Sequence, residues 1–453
     1  MQEKPKKLQR RLTNRHLQMI ALGGAIGTGL FYGSASTIAL TGPSVMLSYL
    51  LGGIIIFFIM RMLGEMAVDE PVSGSFSYYA SKYWGAFPSF LSGWNYWFNY
   101  VIVSMAELTA VGIHMHFWFP DLPQWVSALI CLIIITTINL FNVRVYGEME
   151  FWLAAIKVVA ILGMIILGAW LIFNQPLPFP DKFQNLWVNG GFFPYGAWGF
   201  ALSIVIVMFS FGGVELIGIT AGETEAPERT IPQAIHQVIW RILIFYVGTM
   251  LVLMTLWPWN QVGAESSPFV QIFSQVGIPA AAHILNIVVL SAAVSVYNSA
   301  IYSNARMLYG LAQAGNAPKV FLNLSARGVP LMGILVSSGS TLIVVVLNYF
   351  LPKQAFMIFL SIATAAAVVS WLTITITHMK FRAWCEKHQH ITKFRSMWFP
   401  VANYICIVFL IGIYVFMYQL PDTQLAVILL PVWLLILWAG YQVRGKQESK
   451  KIE

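Results

Sequence analysis

The chain has 453 residues, of which 58% are hydrophobic and only 10% charged. Soluble domains average roughly 25% charged residues, so this chain cannot cover a water-facing surface and reads as an integral membrane protein. Its net charge of +8 is spread along the chain rather than gathered in one groove, which argues against nucleic-acid binding. Cys131, Cys385 and Cys406 lie in or beside apolar runs with no paired spacing, and suggest neither a disulfide framework nor a metal site.

Residues 1–17 open with the basic stretch "MQEKPKKLQRRLTNRH" and no small-residue cleavage site follows. They are expected to be a retained cytoplasmic segment rather than a signal peptide. A helix needs about 20 apolar residues to cross the hydrocarbon. Apolar runs of that kind centre on residues 18–40, 43–64, 88–116, 124–143, 151–173, 197–220, 238–258, 280–308, 331–350, 355–378, 399–418 and 425–442. Turn chemistry separates them, as in "FPDLPQW", "ETEAPERTIPQ" and "LPDTQ". With the N-terminus in the cytoplasm and the chain alternating across these runs, all of the 26 Lys and Arg except Lys182, Lys353 and the intramembrane Lys157 fall on the cytoplasmic side. That bias is what the positive-inside rule expects, and it predicts both termini in the cytoplasm.

The first run holds "GGAIGTGLFYG", residues 23–33, with five glycines. The sixth holds "FSFGGVELIGITAGE", residues 209–223, with Gly212, Gly213, Gly218 and Gly222. Each glycine inside a helix costs up to ~1 kcal/mol relative to alanine. A lone pair in a membrane helix often serves only close packing. Two dense clusters, five runs apart, instead point to discontinuous helices of an inverted-repeat transporter. The fold expected is all-α and integral to the membrane, with twelve transmembrane helices. Two inverted five-helix repeats, 18–173 and 197–378, form a core over 18–378. Residues 379–443 append helices 11 and 12 with their preceding cytoplasmic loop, and 444–453 are a cytoplasmic tail. Unwound backbone is tolerated at membrane depth only where it lines a cavity or ligand site. Freed N–H groups suit a carboxylate and freed carbonyls an ammonium, so a zwitterionic amino acid fits such a site. Glycine also lets a ligand approach the backbone closely.

The blocks "NRHLQMIALGGAIGTGLFYGSA" and "FSFGGVELIGITAGETEAPERTIPQAI" resemble the amino acid permeases of the amino acid–polyamine–organocation superfamily. So do "RMLGEMAVDEPVSGSFSYYASKYWG" and "VYNSAIYSNARMLYGLAQAGNAPK", and the similarity runs over roughly residues 8–443. "GEMEFW", "SGWNYW" and "MAELTAVG" are most similar to the bacterial aromatic amino acid and phenylalanine permeases. Histidine, proline and GABA permeases share many of these blocks, so one of those substrates is the alternative. The resemblance implies a leucine-transporter-like fold in the bacterial cytoplasmic membrane. It implies proton-coupled uptake of phenylalanine, tyrosine and tryptophan by alternating access, with no cofactor and a monomer as the working unit. It places the substrate carboxylate on the N–H groups of Gly27, Thr28 and Gly29, with the Thr28 hydroxyl. The ammonium falls on the carbonyls of Ala25, Phe209 and Gly212. Phe211 resembles the aromatic that closes over the substrate.

Ionisable groups inside a membrane mark function by default. Related permeases carry a lysine where Lys157 stands, at the position where sodium-coupled relatives hold their ion. Its ammonium is expected to replace that ion and to release a proton during the cycle; the alternative is a lysine that snorkels to the cytoplasmic face. Glu215 follows the glycine cluster of the sixth run and suits a gating, proton-moving or purely structural role. Tyr100, Ser104 and Glu107 follow an i, i+4, i+7 spacing and share one helix face, expected to look inward, with Tyr100 lining the side-chain pocket or simply packing. Ser295, Asn298 and Ser299 lie near the presumed cation site, or serve only to join helices. His114 and His116 are two apart and make a poor metal pair. An intramembrane enzyme would need clustered His, Asp or Glu on facing helices, and a channel would need a pore loop or charge ring; neither pattern is present.

Overall fold

The computed structural model describes residues 26–72, 74–141, 143–174, 182–224, 226–263, 267–275, 279–350 and 355–449, together with Arg15 and Met19. Every element among them is helical, as apolar segments in lipid must be when each backbone polar group needs an internal partner. In chain order come α1 (Thr28–Phe31), α2 (Ser34–Thr41), α3 (Val45–Asp69), α4 (Ser75–Tyr83), α5 (Ala86–His116), α6 (Gln124–Asn139) and α7 (Val143–Asn174). They are followed by α8 (Gly196–Phe209), α9 (Leu216–Thr220), α10 (Pro227–Arg241), α11 (Thr249–Leu256), α12 (Pro268–Gln275) and α13 (Pro279–Gln313). The chain ends with α14 (Leu331–Thr341), α15 (Ile343–Phe350), α16 (Ala355–Lys387), α17 (Val401–Gln419) and α18 (Pro421–Ser449). Among the described residues nine helical stretches are long and apolar enough to cross a membrane, and α6 and α8 are shorter apolar helices. The protein is an all-α, multi-pass membrane protein.

Besides the first and sixth runs, three depart from a single regular helix. The run at 238–258 contains a π-helical segment, Ile242–Gly248, between α10 and α11. It packs where Gly53 of α3 faces Ile242 so closely that a Cβ on Gly53 would stand 2.6 Å from Ile242 Cγ2. The run at 331–350 divides at Leu342, whose N–H is shared between the carbonyls of Ser338 and Gly339, both at 3.2 Å. The run at 124–143 gives a helix only as far as Asn139.

Helix α5 forms the centre of the molecule and packs most extensively on α13 and α16. The faces of α7, α17 and α18 turned away from the core carry exposed apolar side chains such as Val159, Ile166, Val408 and Leu435, as contact with lipid requires. At one end of the bundle the loop after α16 is tied to α3. Buried Glu65 of α3 accepts hydrogen bonds from His378 Nε2 (2.9 Å), Arg382 Nη1 (2.9 Å), Thr392 Oγ1 (2.6 Å) and the Ser396 N–H (2.8 Å). Beside it the Arg61 guanidinium lies 3.8 Å from the centre of the Phe394 ring.

Candidate functional site

The sequence of the sixth run, "FSFGGVEL", does not sustain a helix. Helix α8 stops at Phe209, and α9 starts only at Leu216. Between them the backbone makes tighter i→i+3 turns: Gly212 N–H to Phe209 O at 3.0 Å, and Leu216 N–H to Gly213 O at 3.2 Å. Gly213 sits at φ +100, a conformation that side-chain-bearing residues avoid. Side chains attend to the groups the helix releases. Tyr246 donates its hydroxyl to Ser210 O at 3.0 Å, and the Gly213 N–H reaches Glu215 Oε1 at 3.4 Å.

The first run is interrupted as well. Ile26 and Gly27 form a bend, α1 is a single turn, and a turn at Tyr32–Gly33 precedes α2. Ala25 lies outside the described residues, with Gly23 and Gly24. Gly29 touches the other interruption: a Cβ there would stand 2.8 Å from both Cα and Oγ of Ser210. Gly27 faces α13, where a Cβ would meet Val296 Cγ2 at 3.0 Å. Thr28 donates its hydroxyl to Glu107 Oε1 of α5 at 2.8 Å.

The two interruptions enclose a cavity. Gly27, Gly29, Tyr100, Glu107, Phe209 and Gly212 all line it. Tyr100 donates to Glu215 Oε1 at 3.1 Å, so the α5 face and the second interruption are joined across this space. Ser104 is buried one turn further along α5 and donates to the Tyr100 carbonyl at 2.7 Å, which leaves it supporting the cavity wall rather than lining it. The Phe211 ring turns elsewhere, onto Tyr49 and Tyr246 with ring centres 6.2 and 5.0 Å away. Two residues apart on a helical turn, Phe209 and Phe211 must point to different sides, and Phe209 is the one that forms the aromatic wall. Asn99 and Ser299 also line the cavity. Asn99 stands one residue before Tyr100, but its type alone gave no reason to single it out. Its Oδ1 is buried without a hydrogen-bond partner, a feature only side-chain geometry can show.

A second polar cluster is fully buried between α7 and α13. Lys157 Nζ donates to Ser295 Oγ at 2.8 Å. Ser295 in turn donates to Glu150 Oε1, and Asn298 Nδ2 donates to Glu150 Oε2 at 3.3 Å. Asn139 of α6 closes the cluster with a 2.8 Å bond to Asn298 Oδ1. Ser299 joins it to the cavity, since its hydroxyl reaches Glu150 as well as pairing with Tyr146 at 3.2 Å. Sequence reasoning found Lys157, Ser295, Asn298 and Ser299 but missed Glu150. The signal was available: Glu150 precedes Lys157 by seven residues, which puts both on one helix face.

Backbone interruptions, hydroxyls, aromatic rings and buried carboxylates surround this cavity. The sequence pattern of the amino acid permease family matches residues 16–453. The chain belongs to the amino acid permease family. This permease is 52% identical over 445 residues to the aromatic amino acid transport protein AroP of Escherichia coli O6:H1, covering 98% of each chain. It is equally 52% identical to AroP of Salmonella typhimurium strain LT2, over 98% of this chain and 97% of that one. It is 47% identical to the uncharacterized amino acid permease YtnA of Bacillus subtilis strain 168, again over 98% and 97%. The permease is a transporter rather than an enzyme.

Proposed function

We propose that this permease imports phenylalanine, tyrosine and tryptophan by proton-coupled symport, through alternating access to the cavity between the two interrupted helices. The single observation that carries the reading is that cavity, whose walls combine Gly27 and Gly29 of one interruption and Ser210, Gly212 and Gly213 of the other with Tyr100 and Phe209. The aromatic amino acid transport for which the AroP relatives are named, at about half identity over nearly the whole chain, supports aromatic amino acids as the substrate class. The substrate carboxylate would lie on the backbone of Gly27, Thr28 and Gly29, and its ammonium on the carbonyls of Phe209 and Gly212. Lys157 would hold the charge that a sodium ion supplies in other carriers, and deprotonation there would favour opening inward.

The fuller architecture belongs to the same proposal. It has twelve spans with inverted repeats over 18–173 and 197–378, helices 11 and 12 appended, both termini in the cytoplasm of a bacterium, and a monomer as the working unit. The interruptions in corresponding runs support it, as does the basic bias of one set of loops. The test is uptake of labelled phenylalanine into proteoliposomes under an imposed pH gradient, with each of the twenty amino acids and GABA as competitor. Competition by all three aromatic amino acids, and accumulation that follows the proton gradient in the absence of sodium, is the expected result. If no aromatic competes, the substrate assignment falls. If uptake follows a sodium gradient alone, the coupling assignment falls.

A further inference from the structure

Lys157 and Glu150 stand on one face of α7, two turns and about 10 Å apart along its axis. Side chains on a helix lean toward its N-terminus, so the long Lys157 side chain reaches back in the direction of Glu150. Ser295 of α13 stands between the two, accepting from Lys157 Nζ at 2.8 Å and donating to Glu150 Oε1. Asn298 holds the other carboxylate oxygen. Glu150, Lys157, Ser295 and Asn298 are all 0% exposed. Glu150 is also the nearer of the pair to the start of α7, where Arg144 and Val145 are exposed.

We infer that Glu150 accepts the proton that Lys157 releases, with the Ser295 hydroxyl as the bridge. This rests on the proton-coupled reading above and names where its proton goes. In the step, one N–H bond of the Lys157 ammonium breaks as its proton passes to Ser295 Oγ. The Ser295 O–H bond breaks in the same event, and that proton forms a bond to Glu150 Oε1. An ammonium and a carboxylate become an amine and a carboxylic acid, so atoms and charge balance. The transfer leaves two neutral groups in a buried site, whereas a proton leaving alone would strand an unpaired carboxylate there at several kcal/mol. From Glu150 the proton is two turns closer to the exposed end of α7. Ser299 borders both the cavity and this cluster, where its hydroxyl reaches Glu150, which places the acceptor one residue layer from the cavity.

The experiment compares two rates for the same proteoliposomes: accumulation of labelled phenylalanine driven by a pH gradient, and exchange of labelled for unlabelled phenylalanine at equal pH. Glu150→Gln keeps the volume and one of the two acceptor oxygens but cannot take up the proton. The ratio of accumulation to exchange is expected to fall about a hundredfold, the lower end of the scale on which a positioned proton-transfer group acts. Ser295→Ala is expected to lower the same ratio, and Ser295→Thr, which retains the hydroxyl, to restore it. A Glu150 that merely neutralises Lys157 would lower both rates together and leave the ratio unchanged, which would overturn the assignment. If the unaltered permease ignores the pH gradient, the coupling reading itself fails. If it follows the gradient and Glu150→Gln accumulates equally well, coupling stands and the proton acceptor lies elsewhere. Should Glu150→Gln not reach the membrane, the Ser295 pair decides alone.

Discussion

A Cβ placed on Gly29 in the first interruption would stand 2.8 Å from Ser210 Cα and 2.9 Å from the Phe209 ring. A Cβ placed on Gly212 in the second would meet only the Phe209 carbonyl, at 3.3 Å. The first interruption therefore uses glycine to press one backbone against another. The second uses it for conformation, at Gly213, whose φ of +100 admits few other residues. Their unsatisfied polar groups are also met differently. Thr28 in the first binds an acid from α5, whereas the second is served by Glu215 from within its own segment and by Tyr246. The same glycine-rich signature thus covers two physical needs, one of space and one of backbone shape.

Substitutions separate those needs. The largest effect is expected from Gly29→Val, because one obstructing atom, Ser210 Cα, is backbone and cannot swing aside. Overpacking of this kind costs about 1–3 kcal/mol or more, and the two walls of the cavity would be forced apart. Binding of labelled phenylalanine to purified, membrane-inserted protein should be lost, and normal affinity would sink the account of two apposed interruptions. Gly213→Ala is expected to be intermediate. It has to hold a side chain at positive φ, which costs roughly 1–2 kcal/mol, and should lower the thermal midpoint in detergent while weakening binding. A midpoint unchanged from the parent would show that the second interruption does not need glycine for its shape. Gly212→Ala should do least, since only a few tenths of an ångström must give at the Phe209 carbonyl, and uptake should stay within about twofold of the parent, a difference below ~0.5 kcal/mol. A loss as deep as that of Gly29→Val would mean that the second interruption is as crowded as the first.

Much of this site could be read from the chain because glycine clusters, intramembrane charges and a seven-residue spacing on α5 are local patterns. Tyr100 and Glu107 were placed on one inward face by spacing alone, and both line the cavity. The choice between Phe209 and Phe211 could not be read, since it depends on where the helix tightens into turns after α8. Nor could the division at Leu342, which follows "SSGST" (337–341) in a run with no proline and no charge; small polar residues in a membrane helix serve close packing as readily as a break. Glu150 precedes Lys157 by seven residues, a spacing visible in the chain, but spacing does not show what its carboxylate meets. Its pairing with Ser295 and Asn298 is set by how α7 meets α13, a packing choice that no single segment encodes.

The ties at Glu65 decide which helices travel together. A buried carboxylate that holds four donors, His378 and Arg382 from α16 and Thr392 and Ser396 from the loop after it, cannot lose its cationic partner without leaving charge unpaired. Separating a buried ion pair from its partner costs about 3–5 kcal/mol. Helices α3 and α16 are therefore riveted at this end, and any rocking of the permease must carry them as one piece, with its hinge somewhere other than between them.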